Sequence, residues 1–135
     1  MSADPAAPPP VPADAVRLLA ADGPIAASFG GEGYEERPQQ LDMAGRIAGA
    51  LADGRHALLE AGTGVGKSFA YLVPALAWAV AHGKRVAVAT STIALQEQLV
   101  RRDLPLLADA LPFEFTHALV KGRGNYLCLR RMGRA

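Results

Sequence analysis

The sequence predicts an α/β fold, a parallel sheet with flanking helices, and three observations carry that prediction. Short apolar runs at His56–Glu60 and Arg85–Ala89 each lead into a longer stretch with helical periodicity. The second run sets Val86 and Val88 beside Ala87 and Ala89, so both of its faces are apolar, as a strand covered on both sides requires. A glycine-rich loop joins the first run to the helix behind it. Strand, loop, helix, strand, helix is a βαβα order.

Residues 1–13 are Pro/Ala-rich, with Pro5, Pro8, Pro9, Pro10 and Pro12, and lack the apolar periodicity that offsets the entropy of ordering. They are expected to form a disordered arm. Residues 14–33 are expected to hold a short helix, Asp14 to Ala21, capped by Asp14 and ended by Asp22-Gly23-Pro24, then a flexible Gly30-Gly31-Glu32-Gly33 connection. Arg37-Pro38-Gln39-Gln40 opens a helix with Leu41, Ala44, Ile47, Ala48 and Leu51 on one face, closed by Asp53-Gly54. The helix after the loop spans Ser68–His82, with Gly83 as its C-terminal cap and Pro74 expected to kink it. A further helix covers Ile93–Arg102. Leu104–Leu111 adds a short one bounded by Pro105 and Pro112, and Phe113–Val120 supplies a third strand. Tyr71 and Trp78, seven residues apart, share a helix face and read as core.

At 135 residues the chain suffices for one domain with one hydrophobic core. Its charge is uneven: residues 1–60 carry nine acidic side chains against four Arg, and residues 61–135 carry ten Lys/Arg against four acids. That imbalance suits an anionic partner, and equally a solvated basic face. Cys128 is the sole cysteine, which excludes an intrachain disulfide and a secreted disulfide scaffold and fits a cytoplasmic location. Met1 to Pro12 has neither the basic start nor the Leu-rich core of an export signal. The longest apolar run, Phe69 to Ala81, is 13 residues and contains Pro74. That is short of the roughly 20 residues that cross a bilayer, so no membrane partner is expected.

The loop Glu60-Ala61-Gly62-Thr63-Gly64-Val65-Gly66-Lys67-Ser68 has the order of a phosphate-binding P-loop, G-x-x-x-x-G-K-[ST], with Ala61 where the first Gly is usual. Gly62, Gly64 and Gly66 carry no Cβ, so the backbone can take positive φ and turn its N–H groups around an anion. The helix that follows begins with unpaired N–H donors and a partial positive charge. Lys67 adds a full charge for the β- and γ-phosphates, and the Ser68 hydroxyl is a ligand for the accompanying Mg²⁺. A glycine-rich turn with an exposed lysine would share the composition. The strand-to-helix position is what favours the phosphate reading.

Four segments together resemble the DinG-type helicases, XPD-related superfamily 2 DNA helicases that carry an iron-sulfur cluster. These are Tyr34-Glu35-Glu36-Arg37-Pro38-Gln39-Gln40, the loop itself, Ala89-Thr90-Ser91-Thr92-Ile93-Ala94-Leu95-Gln96-Glu97-Gln98, and Lys121-Gly122-Arg123-Gly124-Asn125-Tyr126-Leu127-Cys128. The resemblance covers about residues 34–132, and motif I of that family begins A-x-T-G-x-G-K, which accounts for Ala61. It implies a RecA-like P-loop NTPase sheet over residues 34–135, incomplete in this chain. It implies an ATP site made of Arg37, Gln40, Ala61, Gly62, Thr63, Gly64, Val65, Gly66, Lys67 and Ser68. Gln40 would read the adenine edge, since a carboxamide both donates and accepts. Thr90, Ser91 and Thr92 would contact the backbone of single-stranded DNA. By themselves they read as ordinary helix N-capping, and one residue can do both.

The same resemblance makes Cys128 the first of four ligands to a 4Fe-4S cluster in the full-length protein. By its chemistry alone a lone cysteine reads as a small buried apolar residue, and one thiol cannot hold a cluster that needs four. Lys121, Arg123, Arg130, Arg131 and Arg134 around it suit DNA phosphates or a solvated surface equally. The 135 residues contain no Asp-Glu-Ala-His-like Walker B motif and no second RecA-like domain. The expectation is therefore the N-terminal part of an ATP-dependent DNA helicase acting on single strands or junctions in repair or replication, with Lys67 and Ser68 as its catalytic residues here. By itself this part would bind nucleotide without turnover. The alternatives are a non-hydrolysing nucleotide-binding module and a P-loop NTPase unrelated to nucleic acid.

Overall fold

Two helices form the centre of the molecule, and local sequence explains where each begins and ends. The computed structural model describes residues 14–30 and 33–133. Helix α3, Pro38–Ala52, starts on a proline whose missing N–H costs nothing in the first turn. Its spacing of four puts Gln40, Ala44 and Ala48 on one buried stripe. Helix α4, Lys67–His82, buries Ala70, Leu72, Val73, Pro74 and Ala77. Both end in the same way, on a left-handed glycine: Gly54 at φ 63° and Gly83 at φ 58°. The N–H that follows each glycine turns back to close the helix, Arg55 to Ala50 O and Lys84 to Ala79 O, both at 2.9 Å. Alanines at 44 and 48 let α4 approach α3 closely, which is why Leu72 and Val73 are almost entirely covered.

The remaining helices wrap this pair. Helices α1 (Ala15–Leu18) and α2 (Pro24–Ser28) precede it, and the run from α5 (Ile93–Gln98) through a π-helical segment (Leu99–Asp103) into α6 (Leu104–Ala110) follows it. One core cluster draws Ala15, Leu18 and Leu19, then Ile25, Ala44 and Ala48, then Leu72, Val73, Leu99, Leu107 and Leu111 from all of them. Leu99, Asp103, Leu107 and Leu111 are four apart and all buried. An α-helix precesses by about 40° over four residues, so the wider π turn keeps that stripe aimed at the core. A 3₁₀ turn at Arg123–Asn125 and helix α7, Leu129–Met132, complete the described elements.

The structure changes several of the sequence-based expectations. The helix expected at Asp14–Ala21 is only Ala15–Leu18, and Asp14 makes no side-chain cap. Pro24 does not merely end it; with its fixed φ it starts α2, whose Ile25 is fully buried. Residues 14–30 thus supply four of the eleven residues of the core cluster and are not a peripheral lead-in. Trp78 is only half-buried and stacks on the His82 ring, centroids 4.8 Å apart, whereas Tyr71 does pack against the core. The arm expected at residues 1–13 lies outside the described residues.

The expected parallel sheet is not seen among the described residues. Among the described residues no strand forms, and no backbone hydrogen bond joins the segments 56–60, 85–89 and 113–120 to one another. Each carries no regular secondary structure. A strand exists only through the ladder it shares with a neighbour, and no hydrogen bond forms such a ladder among the three. Their apolar side chains stay exposed in consequence, with Leu58 at 100%, Val86 at 40%, Val88 at 44% and Val120 at 77%. Only the start of the third segment keeps a covered face, because Phe113 and Phe115 pack on the core while Glu114 points outward.

Candidate phosphate-binding site

The loop between residues 60 and 68 has the backbone its glycines predict. Gly64 has φ 80°, and Gly66 sits at φ 80°, ψ 36°, immediately before α4. No non-glycine residue among those described has positive φ. The left-handed turns therefore fall where a Cβ would cost about 1–2 kcal/mol. Among the described residues, no hydrogen bond uses an N–H of Gly62 to Gly66 as donor.

The carbonyls of the same loop are held by side chains. Lys67 Nζ donates to Ala61 O and Gly62 O, each at 2.9 Å. Arg37 Nη1 donates to Gly64 O at 2.8 Å, and Gln40 Nε2 donates to Gly66 O at 2.9 Å. Arg37 and Gln40, picked out 20 to 30 residues before the loop, are thus brought onto it by the first turn of α3. Thr63 is exposed, Val65 half-buried, and Ser68 half-buried in the first turn of α4. Burial pushes the Tyr71 hydroxyl above its ordinary value; a hydrogen bond with Ser68 opposes this and the Asp103 carboxylate adds to it.

An open cleft of about 690 Å³ adjoins the loop, lined by Pro38, Gln39, Asp42, Met43 and Arg46 from α3 and by Leu58 to Gly62 and Val65. Asp42 and Arg46 pair across one helical turn at 2.8 Å on its wall. Sequence reasoning missed two residues that steady the approach to the site. Tyr34 donates its hydroxyl to Leu19 O, and the Glu36 carboxylate accepts from the Ala21 N–H at 2.6 Å. Burial, then the Glu36 charge, raise the Tyr34 pKa above the ordinary tyrosine range, while Arg37 opposes. The one available signal was a buried-type aromatic next to an acid, directly ahead of Arg37.

The other candidate residues lie apart from the loop. Thr92 caps α5, its hydroxyl accepting from Leu95 N–H at 3.2 Å, and Thr90 Oγ1 donates to Thr92 O at 3.3 Å. Ser91 is exposed. Replacing Thr92 by Ala is expected to cost about 1 kcal/mol of stability, while Thr92→Ser retains it; chemical denaturation of both variants checks this. Cys128 is exposed, against its reading as a buried apolar residue. Among the described residues no group of three or more His, Cys, Asp or Glu could hold a metal ion, so this chain does not assemble a four-thiolate cluster from its own residues. No helix among those described is long and apolar enough to cross a membrane.

The loop before α4 is thus glycine-turned, with Lys67, Arg37 and Gln40 donating to its carbonyls. The chain belongs to the DEAD/DEAH box helicase family, whose pattern it matches over residues 38–123. It is 48% identical over 112 residues to the ATP-dependent helicase DinG of Mycobacterium tuberculosis, covering 80% of this chain and 17% of that protein. It is 43% identical over 114 residues to the ATP-dependent DNA helicase YoaA of Escherichia coli, 84% of this chain and 17% of that one. Against the 3'-5' exonuclease DinG of Bacillus subtilis the identity is 43% over 97 residues, 72% and 10% of the two chains. The chain thus spans about a sixth or less of these curated relatives. No solved structure matches it.

Proposed function

We propose that this chain is the ATP-binding start of a DinG-type ATP-dependent DNA helicase, a protein that couples ATP hydrolysis to unwinding of single-stranded-DNA-containing substrates or junctions in DNA repair or replication. The observation that carries this is the convergence of Arg37, Gln40 and Lys67 on the carbonyls of one glycine-turned loop. Lys67 and the amides of Gly62 to Ser68 bind the phosphates, Ser68 holds Mg²⁺, and Gln40 selects adenine. The apolar segments 56–60, 85–89 and 113–120 become strands of a RecA-like parallel sheet when further strands pair with them. Thr90 to Thr92 contact the DNA backbone.

The reading is tested by ATP hydrolysis in the full-length protein with and without single-stranded DNA. DNA-stimulated release of phosphate is expected, and a protein that binds ATP but ignores DNA would favour an NTPase of another kind. The 135 residues alone act as a nucleotide-binding module, because they contain no Asp-Glu-Ala-His-like motif to hold Mg²⁺ and orient water.

Cys128 is one ligand of a 4Fe-4S cluster whose other three thiolates come from outside these residues. Its exposure suits a shared ligand set better than a core thiol does. In a full-length Cys128→Ser variant, iron content and the visible absorbance of the cluster are expected to fall to background. An unchanged iron-to-protein ratio removes the assignment.

A further inference from the structure

The site's reach onto α3 does more than place a base reader beside the phosphates. A glutamine carboxamide has two N–H donors and one oxygen. Gln40 is 5% exposed, and one of its N–H groups is committed to Gly66 O. That carbonyl also accepts the Ala70 N–H at 3.2 Å, so its direction is fixed from two sides. A Cβ at Gly66 would collide with the same amide nitrogen, so loop and side chain fit each other. Arg37 performs the equivalent service at Gly64 O. In a planar trans peptide the C=O of one residue and the N–H of the next point in opposite directions. Holding Gly64 O and Gly66 O toward α3 therefore turns the Val65 and Lys67 N–H groups the other way, into the concave side of the loop.

We infer that Arg37 and Gln40 are positioning residues for phosphate: they aim the Val65 and Lys67 amides by latching the Gly64 and Gly66 carbonyls, and phosphate affinity depends on them whether or not a base is attached. This rests on the nucleotide-binding reading of the loop. It adds a second task to Gln40, beside the adenine reading proposed for it above. A side chain that only read the base would leave a base-free polyphosphate indifferent to its removal.

The test uses the full-length protein carrying this sequence, with Gln40→Met, which keeps the volume and removes the donors, and Arg37→Ala, a change at a half-exposed surface side chain. Because the loop N–H groups have no partner among the described residues, amide hydrogen exchange over residues 62–67 is followed with Mg-tripolyphosphate bound at saturation, and binding of Mg-tripolyphosphate and of MgATP is measured by titration calorimetry. In both variants loop exchange is expected to accelerate about five- to tenfold and tripolyphosphate affinity to fall by a similar factor, the scale of one lost hydrogen bond. Gln40→Met should lose still more for ATP. Unchanged loop exchange, or tripolyphosphate binding retained while ATP binding falls, overturns the inference. If Gln40→Met does not fold, Arg37→Ala decides it by the same two readouts. Failure of the unsubstituted protein to bind either ligand is a different result, and it sinks the nucleotide reading itself.

Discussion

Replacing Lys67 by Ala is expected to lower DNA-stimulated ATP turnover of the full-length protein by at least about 10²- to 10³-fold, the scale for removing a donor aimed at developing charge. Two losses combine. The ammonium no longer offsets charge on the phosphoryl group, and Ala61 O and Gly62 O lose the donor that now holds both at 2.9 Å. Lys67→Arg restores the charge but not the fit, because a planar fork cannot occupy the position of a compact ammonium. It should recover little activity. Phosphate release with single-stranded DNA present is the measurement, and undiminished turnover in Lys67→Ala would mean the loop is not the hydrolytic site.

Ile25→Ala is expected to destabilise the protein by about 2–5 kcal/mol, the range for emptying a fully buried aliphatic site. With a urea dependence of roughly 1–3 kcal/mol per M, the unfolding midpoint should move down by at least about 0.7 M. The size follows from position: Ile25 is completely buried in the one core that also holds Ala44, Val73 and Leu107. A peripheral helix would show almost no shift, and a midpoint within about 0.2 M of the unsubstituted protein would return residues 14–30 to that status.

Different parts of the molecule were legible for different reasons. Helices α3 and α4 were readable almost to the residue, since a proline start, a four-residue stripe of small apolar side chains and a terminal glycine are local signals. The phosphate loop was readable because its glycines, lysine and serine are themselves the motif. Arg37 and Gln40 were placed in the ATP site by resemblance alone, and nothing in residues 34–40 shows by spacing that they meet Gly64 and Gly66. Helix α2 was hidden because Asp22-Gly23-Pro24 is a stop signal for one helix and, with proline in the first turn, a start signal for the next. The sheet is not seen, for a different reason. Apolar composition in Arg85–Ala89 reports how a strand is covered, but a ladder needs a neighbour, which composition does not supply. Cys128 similarly shows chemistry without partners.

The π turn at Leu99–Asp103 has a further consequence. It lies between a helix anchored in the core through Leu107 and a helix, α5, none of whose residues is buried. The anchored side is fixed, so any change in this turn is expressed on the free side. One residue more or fewer there would rotate α5, with Thr92 at its head, by about 100° around its axis. The number of residues in a single turn, and not their identity, thus works as an angular offset that sets the bearing of the Thr90 to Thr92 hydroxyls relative to the phosphate loop.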